Sequence, residues 1–490
     1  ALSPPLRPPC SLRTCCAKFL AVPPGQTMFD KVWHAHEITR LSGGSSLLHV
    51  DRHLIHDLEA GPDLARLEAR HIRVRRPDLT YATPDHAISS APGRTTDTNP
   101  AGGDLLREMR RRCASAGIRL FDLGEPGQGI VHVIGPELGI TQPGMLIVCA
   151  DSHTCTHGGL GAMAWGIGAS EAMHVLATQT IRQQRPQAMR VSFTGTPRPT
   201  VTAKDLVMHA IGSLGVAAGR GHAVEWAGDT TRALGIEERL TLCNMSIEMG
   251  AKIGMIAPDD TTYEYLAGRP MAPRGELLDE AVAAWRSLPS DDDAMFAREH
   301  TLDVSSLGPR VTWGTTPEHV IPIDGTIPDP DDETDPQRRT AMRDALTYMG
   351  LRPGEVIAGT PIDWVFIGSC ANSRLTDLRA AAGVVRGRHV APRVRAWVVP
   401  GSEEVKRAAE SEGLHHVFRA AGFEWREPGC SMCLAANGER VGPGERSVST
   451  SNRNFVGRQG PDARTHLASP LVAAASALAG AISQPDAVGR

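Results

Sequence analysis

From Met28 onward the chain runs in short apolar stretches, each closed by a turn of Gly, Pro, Asp or Asn and followed by an Ala-rich segment of helical period. Such alternation marks β-loop-α units, and a strand buried on both faces reads as an unbroken apolar run. In "GMLIVCADSHT" it predicts a buried strand from Met145 to Cys149 running into a polar loop. "IDWVFIGSCANSRLTDLRAAAGVV" predicts a strand from Ile362 to Ile367, a tight Gly-Ser-Cys turn and a helix from about Leu375. "RVRAWVVPGSEEVKRAAE" repeats the arrangement, with Ser402 as the N-cap. The fold class expected is α/β, in which functional residues gather beyond the carboxyl ends of strands.

Length and composition refine this. A chain of 490 residues exceeds what one hydrophobic core fills, so several domains are expected. Hydrophobic residues make up 41% but aromatics only 4%, so the cores must be built from Ala, Val, Leu and Ile, which suits α/β layers. The segment "DGTIPDPDDETDPQRRT", residues 324–340, is acidic, Pro-rich and aperiodic, and is the expected linker. Residues 1–27 are Pro-rich and carry Arg7, Arg13 and Lys18 but no acidic residue; they predict an unstructured extension, with Met28 opening the patterned sequence. Cytoplasmic location follows unless that extension is a transit peptide, which would make it organellar.

The formal net charge of −4 argues against nucleic acid or an anionic membrane as the main partner, since both select a basic excess. The longest apolar run, "LVAAASALAGAI" from Leu471, is too short to cross a bilayer. A small-molecule substrate is the expectation.

Ten cysteines without regular spacing do not form a disulfide framework; they point to a reducing compartment and to metal or catalytic thiols. Cys370 sits in a βα turn, and Cys430 and Cys433 form a C-x-x-C in the loop "REPGCSMCLAANGER". Three thiolates leave a tetrahedral zinc one ligand short unless a His joins them. A thioredoxin-type pair opens a helix directly after a strand, which this setting does not. An iron–sulfur cluster with one open iron is the third reading, and spacing alone leaves all three standing. Cys113, Cys149, Cys155 and Cys243 read as buried or incidental thiols.

Paired acids and imidazoles occur in "ATPDHAI" (Asp85, His86), "GIVHVIG" (His132), "CADSHTCTHGG" (Asp151, His153, His157) and "CNMSIEMGA" (Glu248), each beside an apolar run. A His held by a carboxylate keeps one tautomer and a raised pKa, the requirement for a general acid near neutrality. In "TSNRNFVGRQG", Asn452, Arg453 and Arg458 share a Gly-flanked loop that could turn two guanidinium forks to one dicarboxylate. "GGLGAMAWGIG" from Gly158 contains G-x-G-x-x-A, but its glycines do not directly follow the strand and no ribose-binding acid is in place, so a dinucleotide site is not expected.

Together, "VFIGSCANS", "PGCSMC", "TSNRNFVGRQG", "DSHTCTHGG" and "IVHVIGPE" resemble the aconitase superfamily, and within it the large subunits of 3-isopropylmalate dehydratases; "DRHLIHD", "TLCNMSIEMGAKIG", "GFEWREPGC" and "VTWGTTPEHV" agree. The resemblance runs from Met28 to about Ser483. It implies three α/β/α domains around a cluster, over 28–198, 199–310 and 311–490, without the family's swivelling fourth domain. It implies one [4Fe-4S] cluster on Cys370, Cys430 and Cys433, with the fourth iron open as a Lewis acid. Asp85 and His86 match the family's acid pair for the departing hydroxyl. His132, Asp151, His153 and Glu248 match the remaining catalytic network, and Asn452, Arg453, Arg458 and His56 match substrate contacts.

The activity implied is a hydro-lyase that interconverts 2-isopropylmalate and 3-isopropylmalate by dehydration and rehydration in leucine biosynthesis. A homoaconitase or citramalate-type hydro-lyase has the same site, and an RNA-binding apo-aconitase-like regulator is the alternative of another class. The family's base, a serine on the swivelling domain, is expected on a separate small subunit. Ala371 stands where the family usually has Thr, so one hydrogen bond near the cluster is expected to be lost.

Overall fold

Thr27 caps the first helix, Met28–His36: its Oγ1 accepts from Asp30 N at 3.1 Å while its own N–H donates to Asp30 Oδ2 at 3.0 Å. The computed structural model describes residues 25–486. Thr27 is buried and Gln26 N donates to Asp291 Oδ2 at 2.9 Å, so the folded body begins ahead of Met28 and the extension expected over 1–27 loses its last residues to the fold. Residues 1–24 of that extension, with Cys10, Cys15 and Cys16, lie outside the described residues.

Eight strands follow: β1 (Glu37–Arg40), β2 (Ser45–His49), β3 (Arg52–His56), β4 (Thr80–Thr83), β5 (Arg119–Leu120), β6 (Leu146–Cys149), β7 (Met163–Gly166) and β8 (Thr180–Gln184). Five of them form a parallel sheet in the order β5-β4-β3-β6-β7, and β1-β2-β8 make a small antiparallel one. The apolar run before Asp151 is the interior strand β6, buried at all four positions as an interior parallel strand must be.

A second parallel sheet, β11-β10-β9-β12, is built from β9 (Gln187–Thr194), β10 (His222–Ala227), β11 (Ile253–Met255) and β12 (Arg298–Asp303). Its central strand β9 lies inside the segment 28–198 assigned to the first domain, so this sheet starts about ten residues earlier than expected. The cause is legible in β9 itself: Met189, Val191 and Phe193 alternate into the core that helix Ala203–Leu214 covers.

After a hairpin, β13 (Arg310–Thr312) and β14 (Val320–Pro322), the third sheet runs β17-β16-β15-β18-β19, all parallel. Its strands are β15 (Trp364–Ile367), β16 (Arg395–Val398), β17 (Glu424–Trp425), β18 (Arg446–Ser449) and β19 (Arg464–Leu467). Its core packs Val365, Ile367, Val398 and Val448 against Ala473, Ala474 and Ala477 of helix Pro470–Ala479, the aliphatic construction that the composition requires. Helix Leu375–Val385 follows β15, and Ser402 Oγ accepts from Val405 N at 3.0 Å to cap Glu403–Ser411.

The segment 324–340 is not a free linker. Two of its acidic residues are caps: Asp329 Oδ1 accepts from Asp331 N at 2.9 Å, and Asp335 Oδ1 accepts from Gln337 N at 2.7 Å to start helix Pro336–Met349. Among the described residues no helix is long and apolar enough to cross a membrane.

The first and third sheets point their carboxyl ends at each other. Their loops are joined by backbone hydrogen bonds, Cys430 N to Asp85 O at 2.7 Å, Glu427 N to Ser90 O at 2.8 Å and Ile130 N to Gly401 O at 2.8 Å. The site loops after β3, β4, β6, β15, β17 and β18 are set by this meeting of strand ends, while Asn244 and Glu248 come from helix Ile236–Asn244 and the 3-10 helix Met245–Met249 beside the second sheet.

Candidate active site

Asp85 and His86 follow β4, and Asp57, just past β3, holds their turn. Both its carboxylate oxygens are used, Oδ1 accepting from His86 N at 3.0 Å and Oδ2 from Ala87 N at 2.7 Å. His86 is thereby aimed between two acids: Asp85 Oδ1 lies 2.5 Å from its Nδ1 and Asp151 Oδ2 lies 3.3 Å from its Nε2. Burial opposes its protonation, but the charge of Asp85 leads Cys430 and Asp151 in raising the pKa well above the ordinary histidine value. A carboxylate on each ring nitrogen favours the imidazolium form of His86.

Asp151, after β6, gathers three histidines. Oδ1 accepts from His132 Nε2 at 2.9 Å and from His153 N at 2.7 Å, and Oδ2 faces His86. Burial disfavours its charge, yet the bonds to His132, His153 and His86 hold its carboxyl well below the usual range. Behind His132 runs a line of groups the sequence did not connect: His132 Nδ1 lies 3.2 Å from His157 Nε2, and His157 Nδ1 lies 2.6 Å from Thr141 Oγ1. Burial lowers the pKa of both imidazoles, so both are neutral, and the line is directional: the Thr141 hydroxyl donates to His157, His157 to His132, and His132 to Asp151.

His153 continues the chain outward. Glu248 Oε1 accepts from His153 Nε2 at 3.0 Å and from Arg453 Nε at 2.7 Å. Burial works against the Glu248 charge, and His153 followed by Arg453 overcomes it, keeping the carboxyl below its usual range. The Arg453 side chain stays 26% exposed, which leaves the end of its fork open to a ligand.

His56, at the end of β3, stacks on His86 with ring centroids 4.2 Å apart. Its Nδ1 pairs with Glu59, whose Oε1 also accepts from His56 N at 2.9 Å, and its Nε2 is buried without a partner. Burial is the largest influence and lowers its pKa, but Glu59 and Asp85 together leave it raised above the ordinary histidine value. Glu59 was not singled out in the sequence: it is three residues from His56, and only the turn after β3 brings them together.

The three thiols lie across from this network. Cys370 follows β15 and Cys430 follows β17, while Cys433 ends the short 3-10 helix Ser431–Cys433. The backbone beside them is strained: Ser369 and Ser431 adopt left-handed φ of 80° and 48°. Hydroxyl bonds hold both residues there, Ser369 Oγ to Thr450 O at 3.1 Å and Ser431 Oγ to Glu439 Oε2 at 2.6 Å. Asn452 spans two sulfurs, its Nδ2 donating to Cys370 Sγ at 3.2 Å and its Oδ1 accepting from Cys433 at 3.2 Å. Asn244 Nδ2 also donates to Cys370 Sγ at 3.2 Å, and Arg458 Nη2 lies 3.8 Å from Cys433 Sγ. Asn244 stood within the quoted "CNMSIEMGA" and went unassigned there.

All seven described cysteines are free. Cys370, Cys430 and Cys433 keep 5–7% exposure where Cys113, Cys149, Cys155 and Cys243 keep 0–1%, so only the first three border open space. An iron–sulfur cluster fits this donor set. Three thiols converge from two loops, amides already donate to a sulfur as they do around such clusters, and the Nε groups of Arg374 and Arg458 are buried without partners beside them. Ala371 leaves no gap in the hydrogen bonding of its own backbone, since its carbonyl accepts from Thr241 Oγ1 at 2.8 Å and from Arg374 Nη1 at 3.2 Å.

The glycines of "GGLGAMAWGIG" serve packing. A Cβ on Gly158 would lie 1.7 Å from Gly254 O, and one on Gly159 would lie 2.7 Å from Leu240 N. They let the 3-10 helix Ser152–Leu160 press against β11 and helix Ile236–Asn244.

The aconitase family model (aconitate hydratase) matches residues 30–480. The chain is 63% identical over 459 residues to 3-isopropylmalate dehydratase large subunit 1 of Bradyrhizobium diazoefficiens, covering 94% of this chain and 96% of that protein. It is 53% identical over 465 residues to the 3-isopropylmalate dehydratase large subunit of Roseiflexus castenholzii, covering 94% and 98%. The crystal structure of Thermococcus kodakaraensis aconitase X (holo-form) superposes with a TM-score of 0.45 at 12% identity, covering 83% of this chain and 84% of that one.

Proposed function

This chain belongs to the aconitase family, and on that premise we propose that it is the large subunit of a 3-isopropylmalate dehydratase, the isomerase of leucine biosynthesis. The observation that carries the reading is a continuous line of acids and imidazoles, Asp85-His86-Asp151-His153-Glu248-Arg453, lying across from three partly open thiols. The substrate class is a hydroxy-dicarboxylate, and the reaction is loss of water followed by its return with the hydroxyl on the neighbouring carbon.

Cys370, Cys430 and Cys433 would hold a [4Fe-4S] cluster, which supplies when bound a Lewis-acidic iron without a protein ligand. His86, protonated between Asp85 and Asp151, is the proton donor to the departing hydroxyl, which leaves as water. Asp151 stays ionised and holds His86, His132 and His153 in fixed orientations. The line Thr141-His157-His132 fixes the tautomer of His132 from behind. Arg453, kept in place by Glu248, receives a substrate carboxylate, and Arg458 and His56 offer further donors.

The proton on the neighbouring carbon goes to a base outside this chain, the serine of a swivelling domain on a small-subunit partner. The relatives are named large subunits, and this chain covers 96% and 98% of their lengths, which supports such a partner. The test is anaerobic reconstitution with iron and sulfide, then assay with and without a 3-isopropylmalate dehydratase small subunit. About four irons and four sulfides per chain, lost in Cys430→Ser, with turnover of 2-isopropylmalate only when the small subunit is added, is the expected result. A chain that binds no iron, or turns over alone, contradicts the reading.

A further inference from the structure

Lys204 is fully buried at the start of helix Ala203–Leu214. Both aspects of that position are unfavourable to a cation: an ammonium loses its hydration, and the amino end of a helix carries partial positive charge. No compensating ion pair exists for it among the described residues. Its Nζ donates instead to two successive carbonyls, Thr450 O at 3.1 Å and Ser451 O at 2.5 Å. The next residue is Asn452, which hydrogen-bonds to both Cys370 and Cys433. Burial lowers the pKa of Lys204 to about 8, and among the groups that oppose this, Cys433 and Cys370 come ahead of Asp377 and Glu248.

We propose that Lys204 is a positioning residue for the cluster: a buried ammonium group that pins the loop carrying Asn452 and offsets the negative charge of the ligated thiolates. The inference rests on the cluster reading above. It gives physical sense to an otherwise costly placement, because a buried cation with no ion-pair partner among the described residues is better balanced when the cluster ligands beyond Asn452 are ionised. A positive charge held near a cluster in a low-dielectric setting favours the reduced form and opposes oxidation. Lys204 thus protects the open site from oxidative loss of iron without touching the substrate.

The test uses the full chain, reconstituted anaerobically, as wild type, Lys204→Gln and Lys204→Arg. Gln keeps a donor for the carbonyls and removes the charge, while Arg keeps the charge. Iron and sulfide content, the reduction potential from an EPR-monitored titration, and the rate of iron release in air are the readouts. Lys204→Gln is expected to lower the potential and release iron several-fold faster, with Lys204→Arg close to wild type. An unchanged potential in Lys204→Gln, or an Arg variant displaced as far as the Gln variant, overturns the inference.

Should Lys204→Gln not fold, Lys204→Met, which leaves no polar group in the core, replaces it; if neither folds, the residue is structural and the inference is overturned. Wild-type chain that takes up no iron overturns the cluster reading and this inference with it, whereas a normal wild-type cluster with an unmoved variant potential overturns this inference alone.

Discussion

His86 Nε2 faces Asp151 Oδ2 at 3.3 Å, although the two residues leave different strands, β4 and β6, and stand sixty-five positions apart in the chain. The strand order β4-β3-β6 puts β3 between them, so the pairing depends on both loops folding back over the end of β3. An imidazolium held by a carboxylate on each nitrogen is a strong hydrogen-bond donor with little rotational freedom. Its proton is available only when a substrate group displaces one of the two acids.

Asp151→Asn tests that arrangement. The amide keeps one acceptor for the three imidazole-bearing residues and removes the charge that stabilises the proton on His86. Turnover is expected to fall by about two to four orders of magnitude, the range for loss of general acid–base function. Iron and sulfide content and the visible spectrum of the cluster are expected to persist, since among the described residues the Asp151 carboxylate hydrogen-bonds to histidines and to none of Cys370, Cys430 and Cys433. A loss of cluster equal to the loss of rate would place Asp151 in the metal site instead.

Asn452→Ala removes hydrogen bonds to two thiols at once and leaves Asn244 Oδ1 without its 2.7 Å donor. Stability of the folded chain is expected to drop by about 1–3 kcal/mol, as for a buried polar group stripped of its partner. Release of iron in air, followed at the cluster's absorption band, is expected to accelerate.

The chemistry was more legible in the sequence than the connections between its parts. Asp85, His86, Asp151, His153 and Cys370 follow short apolar runs, and parallel strands place such residues at one edge by construction. Cys430, Cys433, Asn452 and Arg453 were legible through the resemblance. Asn244, Glu59, Thr141 and Lys204 were not, because each lies within or beside a helix or turn whose local pattern is ordinary, and its role appears only when a distant loop meets it. The boundary near 198 and the linker over 324–340 failed for a different reason: β9 begins before the turn that looked like a border, and two acids of the supposed linker, Asp329 and Asp335, are helix caps.

Gly158→Ala tests the reading of the glycine-rich stretch as a packing device. The added methyl would sit 1.7 Å from a backbone oxygen, Gly254 O, which no rotamer change relieves. The substitution is expected to cost more than about 3 kcal/mol, at or beyond the usual range for overpacking, and to lower the melting temperature of the chain with or without cluster. A dinucleotide titrated against the wild type is expected to leave that temperature unmoved.

Acid stability turns on Asp51, the buried residue between β2 and β3. Burial raises the cost of its charge, but His36 Nε2 at 2.6 Å and Leu146 N at 2.8 Å stabilise the carboxylate, and its pKa falls to about 2. An unfolded Asp titrates near 3.9, roughly two pH units higher, so the ionised form favours the folded state. The contribution, about 2 kcal/mol by linkage, is complete above roughly pH 4 to 5 and is lost as pH falls through about 2. Melting temperatures of wild type and Asp51→Asn, compared from pH 6 down to pH 3, are expected to differ most at the upper end and to converge on acidification. A gap that widens toward low pH would mean that Asp51 is protonated in the folded chain and that His36 is held by other contacts.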